Sequence, residues 1–153
     1  MTNFIGTLNV MHGLKYKNFI LASTGAAEYC ASAYGTSKKA AEDCVKEWCE
    51  FRKIPFTTFR FYNVIGSAGF KPTNPDGLMY NLMKAKETGE FTVFGNDYQT
   101  QDGTCVRDYV HVTDVADAHS KAGEMLLEGS IRGVTMNLGT GKGTSIVDVI
   151  KAL

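Results

Sequence analysis

The chain carries no excess of charge of either sign: 16 lysines and arginines stand against 16 aspartates and glutamates among 153 residues. That balance argues against a nucleic-acid or anionic-membrane partner. No apolar run approaches the roughly 20 residues of a membrane-spanning helix, and the N-terminus shows no secretory signal pattern. Internal repeats, low-complexity stretches and obvious linkers are absent. Cys30, Cys44, Cys49 and Cys105 form no Cys-x-x-Cys pair, and the five-residue step from Cys44 to Cys49 suits neither a metal site nor a disulfide within one helix. They read as reduced thiols of a cytoplasmic protein, with no metal expected. Gly6, Gly13 and Gly25 make no Gly-x-Gly-x-x-Gly after a strand, which excludes that kind of phosphate-cradling turn. Gly139–Thr144 lacks the Gly-Lys-Ser/Thr ending of a P-loop and reads as a turn from a strand to a helix.

What remains is the composition of an ordinary globular domain, 44% hydrophobic and 21% charged, long enough for a real core. Periodicity predicts a helix over Asn3–Leu14, a strand over Phe19–Ser23 and a helix from about Tyr34 to Arg52. Pro55 punctuates, and Phe56–Phe61 reads as a second, parallel strand. Gly66–Gly77 is a loop, followed by a helix from about Leu78 to Thr88 and a short strand at Phe91–Phe94. After a polar loop and Val106–Val112 come a helix over Asp114–Leu127 and a strand over Val134–Leu138. A last helix is capped by Thr144 or Ser145. Alternating strands and helices predict an α/β fold with a mostly parallel sheet.

The chemistry concentrates at Tyr34-Gly35-Thr36-Ser37-Lys38. Residues four apart lie on one helical face, a turn from each other. An ammonium near a phenol favours the phenolate, so Tyr34 suits the role of proton acceptor. The preceding strand ends in Ser23-Thr24, and a hydroxyl there can share a proton with a substrate alcohol.

Together these residues resemble the short-chain dehydrogenase/reductase superfamily. The distal half resembles its extended branch: Arg60-Phe61-Tyr62-Asn63-Val64-Ile65-Gly66, Phe94-Gly95-Asn96-Asp97-Tyr98, Asp102-Gly103-Thr104, Val106-Arg107-Asp108-Tyr109-Val110-His111-Val112 and Asn137-Leu138-Gly139-Thr140-Gly141. Within that branch, their order is similar to that of the UDP-glucose 4-epimerases (UDP-galactose 4-epimerases). The resemblance implies part of a Rossmann-like, doubly wound parallel sheet with much of the C-terminal substrate-binding region. It further implies UDP-galactose and UDP-glucose as substrates, interconverted through a 4-keto sugar with transient hydride transfer to NAD. Thr24, Tyr34 and Lys38 would then be catalytic and, with Tyr62, would contact the cofactor. Asn63, Gly77, Leu78, Thr92, Val93, Phe94 and Arg107 would line the substrate, Arg107 as a fork of donors for the diphosphate. A homodimer through the Tyr34–Arg52 helix is also implied. Plainer roles stay open: Asn63 bonding a turn, Phe94 in a core, Arg107 and Asp108 as a surface ion pair.

Three departures accompany the resemblance. Tyr34 follows only 33 residues, where the family carries its glycine-rich βαβ half, so residues 1–153 are expected to be one partial domain lacking that half and the C-terminal end. Thr24 and Tyr34 are ten apart, where the family has a longer loop, leaving Ser23 as an alternative hydroxyl. Gly77 stands where the family has an asparagine at the diphosphate. A chain of this kind is expected to be inactive alone. The alternatives are a non-catalytic nucleotide-sugar-binding or partner module, and another extended-branch enzyme. Gly25-Ala26-Ala27 lacks the acidic pair that dehydratases place after the hydroxyl.

Overall fold

The computed structural model describes residues 2–67 and 69–152. In chain order the elements are α1 (Thr2–Gly13), β1 (Phe19–Thr24), α2 (Ala26–Tyr29), α3 (Ala33–Arg52), β2 (Phe56–Phe61), β3 (Asn63–Ile65), α4 (Leu78–Thr88), β4 (Val106–His111), α5 (Val112–Glu128), β5 (Val134–Leu138), β6 (Gly143–Ser145) and α6 (Ile146–Lys151). They form two compact units. One takes the residues up to Tyr62 with Val115–Leu138; the other takes Asn63–Asp114 and the residues from Gly139 on.

In the first unit, β1, β2 and β5 form a parallel sheet with β2 in the middle. Phe56, Thr57, Thr58 and Phe59 are all buried, as expected of a parallel strand covered on both faces. Phe56 joins Met11, Leu21, Val45 and Cys49 in the core beneath α1 and α3. Phe59, an odd number of residues on, points to the opposite face. There its ring centroid lies 5.0 Å from that of His119 on α5. Helices on both faces make this a doubly wound sheet. The two buried threonines fit because each presents a methyl group, and the Thr57 hydroxyl donates to the Val134 carbonyl at 2.7 Å.

α3 starts where Ser32, in extended backbone, accepts from the Gly35 N–H at 3.1 Å. It ends at Lys53, whose left-handed backbone (φ 57°) turns its N–H onto the Cys49 and Glu50 carbonyls before Pro55. Ala41, Val45 and Cys49 recur every fourth residue on its buried face. Gly35 is required by close approach: a Cβ there would run into the Ala26 carbonyl of α2.

In the second unit β4 lies between β3, parallel to it, and β6, antiparallel to it. Leu82 and Ala85 of α4 and Val110 of β4 are its buried apolar residues among those described. Gly66 has φ 86°, and a Cβ on it would collide with the His111 ring.

Several expectations need correction. Phe91–Phe94 is not a strand. Its residues have the composition of one, but neither sheet offers it a ladder partner, and Thr92–Phe94 are exposed. α2, β3 and β6 were not legible as separate elements because each is only three or four residues long. Gly143–Ser145 pairs with β4 before α6 begins, and Ser145 then caps that helix by accepting from the Asp148 N–H at 3.1 Å. α5 starts at Val112, two residues early, because the His111 imidazole accepts from the Thr113 N–H at 3.3 Å. Among the described residues no helix is long and apolar enough to cross a membrane.

Candidate functional site

Tyr34 sits in the first turn of α3 and is 51% exposed, so its phenol stands free of the core. Lys38, one turn on, reaches back to the carboxyl end of β1, where its ammonium donates to the Ala22 carbonyl at 3.1 Å. Thr24 ends β1, and its hydroxyl accepts from the Ala26 N–H at 3.3 Å, opening α2. Tyr62 follows β2 directly, and its ring packs over Gly25: a Cβ on Gly25 would lie 2.7 Å from the Tyr62 ring. Tyr34 and Lys38 thus share a helix beside the strand end that carries Thr24, and Tyr62 covers the next residue.

Ser23 is not an alternative to Thr24. Alternation along the strand turns it inward, where it is 4% exposed and donates to the Glu42 carboxylate at 2.5 Å. Glu42, itself 6% exposed, also takes a two-pronged bond from Arg60, at 3.0 Å from Nε and 2.7 Å from Nη2. Glu28 lies 4.0 Å from the same guanidinium. The Arg60 guanidinium is held above its ordinary value, first by the hydrogen bond to Glu42, against the opposing effect of burial. Sequence reasoning assigned Glu42 no role. The signal was present: Glu42 is four residues beyond Lys38 and eight beyond Tyr34, on the same stripe of the helix.

The second unit holds the other candidates. Asn63 opens β3, and its side-chain amide donates to the Asp108 carbonyl across the strand pair at 3.2 Å. Arg107 is exposed on β4, one guanidinium nitrogen donating to the Val106 carbonyl at 3.1 Å. It makes no ion pair with Asp108, whose carboxylate accepts from the Thr140 N–H at 2.8 Å, the Thr140 hydroxyl at 2.7 Å and the Gly141 N–H at 2.9 Å. Burial alone would raise the Asp108 carboxyl; the bonds from Thr140 and Gly141 outweigh it and hold the group below its ordinary value.

Gly77, in extended backbone, caps α4, and Leu78 is the first residue of that helix. Leu78, Asn81, Lys84, Phe91, Thr92 and Phe94 line a cavity of about 460 Å³. Three substrate-side candidates therefore meet at one concavity, mixed apolar and polar, of the size of small-molecule sites. Phe94 is 85% exposed, so the core reading of that ring fails. Val93, adjacent in sequence, does not join the lining residues. No group of His, Cys, Asp and Glu among the described residues is arranged to hold a metal ion.

Comparison with known proteins gives this geometry its family. A model of the NAD dependent epimerase/dehydratase family matches residues 1–139. The chain is 32% identical to UDP-glucose 4-epimerase from Rhizobium leguminosarum bv. trifolii, over 99% of this chain and 53% of that protein. It is 38% identical to the enzyme of that name from Rhizobium meliloti (strain 1021), over 78% of this chain and 38% of the other. The chain thus spans about half the length, or less, of these curated relatives. UDP-glucose 4-epimerase from Brucella ovis, solved in complex with NAD, superposes with a TM-score of 0.85 at 28% identity, over 99% of this chain and 54% of that one. The sheet covered on both faces, the tyrosine and lysine at its rim and the match over most of the sequence agree, and the chain belongs to the NAD dependent epimerase/dehydratase family.

Proposed function

We propose that this chain carries the proton-handling and nucleotide-sugar-binding parts of a UDP-glucose 4-epimerase, acting on UDP-galactose and UDP-glucose through a 4-keto sugar. The observation that carries the reading is an exposed Tyr34 one helical turn from Lys38 on α3, with the Lys38 ammonium on the Ala22 carbonyl of β1, the strand that Thr24 ends. In this reading the Tyr34 phenol takes the proton of the sugar 4-hydroxyl and later returns it, while the Thr24 hydroxyl bonds the same oxygen. The donor set fits the nicotinamide-ribose end of NAD: Lys38 has three N–H donors, one used on Ala22, and Tyr62 stands on the cofactor side. When bound, NAD supplies a reversible acceptor for the hydride at carbon 4. In the second unit Arg107 would meet the diphosphate, and Asn63, Gly77, Leu78, Thr92, Val93 and Phe94 would lie along the nucleotide sugar.

We further propose that residues 1–153 form a partial domain without turnover on their own, since they contain no glycine-rich turn to hold the NAD pyrophosphate. The four free thiols fit a reducing, cytoplasmic setting, and the exposed Phe51 on α3 fits a homodimer through that helix. A non-catalytic nucleotide-sugar-binding module is the second reading, favoured by a cavity that lies wholly within the second unit.

Separate calorimetric titrations with UDP and NAD, with an assay for conversion of UDP-galactose, test this. UDP binding that persists in Tyr34→Phe, with no conversion by the chain alone, is expected. Binding of neither ligand removes the reading. NAD-dependent conversion by the purified chain removes the claim that it is inactive alone.

A further inference from the structure

Tyr34, Lys38 and Glu42 form one stripe along α3, but only Glu42 turns fully into the protein. Its carboxylate is the meeting point of three elements. Ser23 brings the end of β1 at 2.5 Å, and Arg60 brings the end of β2 through a fork at 2.7 and 3.0 Å. Ser23 is next to Thr24, and Arg60 is two residues before Tyr62. Every first-unit residue assigned above to the cofactor or the proton is therefore tied to this carboxylate by one to eight residues of strand or helix. A carboxylate is not needed to fill this space, since apolar groups pack between a helix and a sheet without desolvation cost. What a charged fork adds is direction: a guanidinium and a carboxylate in two parallel bonds allow one rotation and one height of the helix against the strand.

We infer that Glu42 is a positioning residue for the Tyr34–Lys38 turn, setting through Arg60 and Ser23 where that turn stands against the ends of β1 and β2. The inference rests on the functional reading of Tyr34 and Lys38 given above. It concerns where those groups are held, not what they do. Glu42→Gln keeps shape and one acceptor oxygen but removes the charge and the second prong. The helix keeps its core packing through Ala41, Val45 and Cys49 but loses the fork that fixes its rotation at this end, and the residues one and two turns away carry the resulting shift to the site.

The test is fluorine NMR on the whole chain labelled with 3-fluorotyrosine, the Tyr34 line being assigned by its loss in Tyr34→Phe. Glu42→Gln is expected to move the Tyr34 line by more than its width at temperatures well below unfolding, with the Tyr98 line of the second unit unmoved. Ser23→Ala, which keeps the ion pair and so guards against a Glu42 variant that fails to fold, should move it the same way by less. Val45→Ala removes core packing from the same helix without touching the network and should leave the line in place. The inference is overturned if the Tyr34 line stays put in Glu42→Gln, or in Ser23→Ala should the former not fold, or if Val45→Ala moves it as far. Adding nicotinamide mononucleotide to the unsubstituted chain separates the two ideas. A Tyr34 line indifferent to it removes the cofactor role of Tyr34 and leaves the positioning result standing.

Discussion

Asp108→Ala is the perturbation whose size follows most directly from the structure. The Asp108 carboxylate closes the turn between β5 and β6 with three bonds, from the Thr140 N–H and hydroxyl and the Gly141 N–H. Hydrogen bonds to a charged group are worth about 1.5–3 kcal/mol each when shielded. Here the donors are exposed and turn to water once the carboxylate is gone, so the total falls to about 1–2 kcal/mol. With a urea dependence of roughly 2 kcal/mol per molar, the midpoint should drop by about 0.5–1 M, followed by circular dichroism. The pH dependence has a definite sign. The folded carboxyl lies below the ordinary 3.8, so its contribution is fully present above 3.8 and is lost as pH falls through the folded value. The midpoints of the unsubstituted chain and Asp108→Ala should therefore differ at neutral pH and converge in acid. A gap that is independent of pH, or wider in acid, would refute the assignment of these bonds to an ionised Asp108.

Three further outcomes can be checked. Phe59→Ala empties a site that is 2% exposed, between the middle strand and His119, and should cost about 3–5 kcal/mol by denaturant titration; a loss under 1 kcal/mol contradicts that packing. Arg107→Ala should weaken UDP binding about tenfold in calorimetry, corresponding to about 1.4 kcal/mol, with a shallower salt dependence, and unchanged affinity would take Arg107 off the diphosphate. Cys49 is fully buried, and burial pushes its thiol up to about 11, so it should react with a disulfide reagent only in denaturant, whereas exposed Cys30 reacts in the native chain. Native-state labelling of Cys49 would contradict the core.

What sequence alone determined were the features with a period or a motif. β2, α4 and β5 fall at the predicted residues because their patterns end at hard punctuation, Pro55 before the first and Gly89 after the second. The tyrosine and lysine could be placed on one face of a helix in advance because residues four apart lie on the same side of an α-helix whatever surrounds it. Tertiary structure decided everything that needs a partner from elsewhere in the chain. Phe91–Phe94 has strand composition and no strand to pair with, while Gly143–Ser145 has little of that composition and pairs with β4. Two adjacent hydroxyls, Ser23 and Thr24, read alike in sequence, yet the alternation of a strand against a helix sends one to Glu42 and leaves the other to accept from the Ala26 N–H. Glu42 itself looks like any helix-surface carboxylate until Arg60, 18 residues on, arrives from the middle strand. A local pattern states which way a side chain points, and only packing states what it meets there.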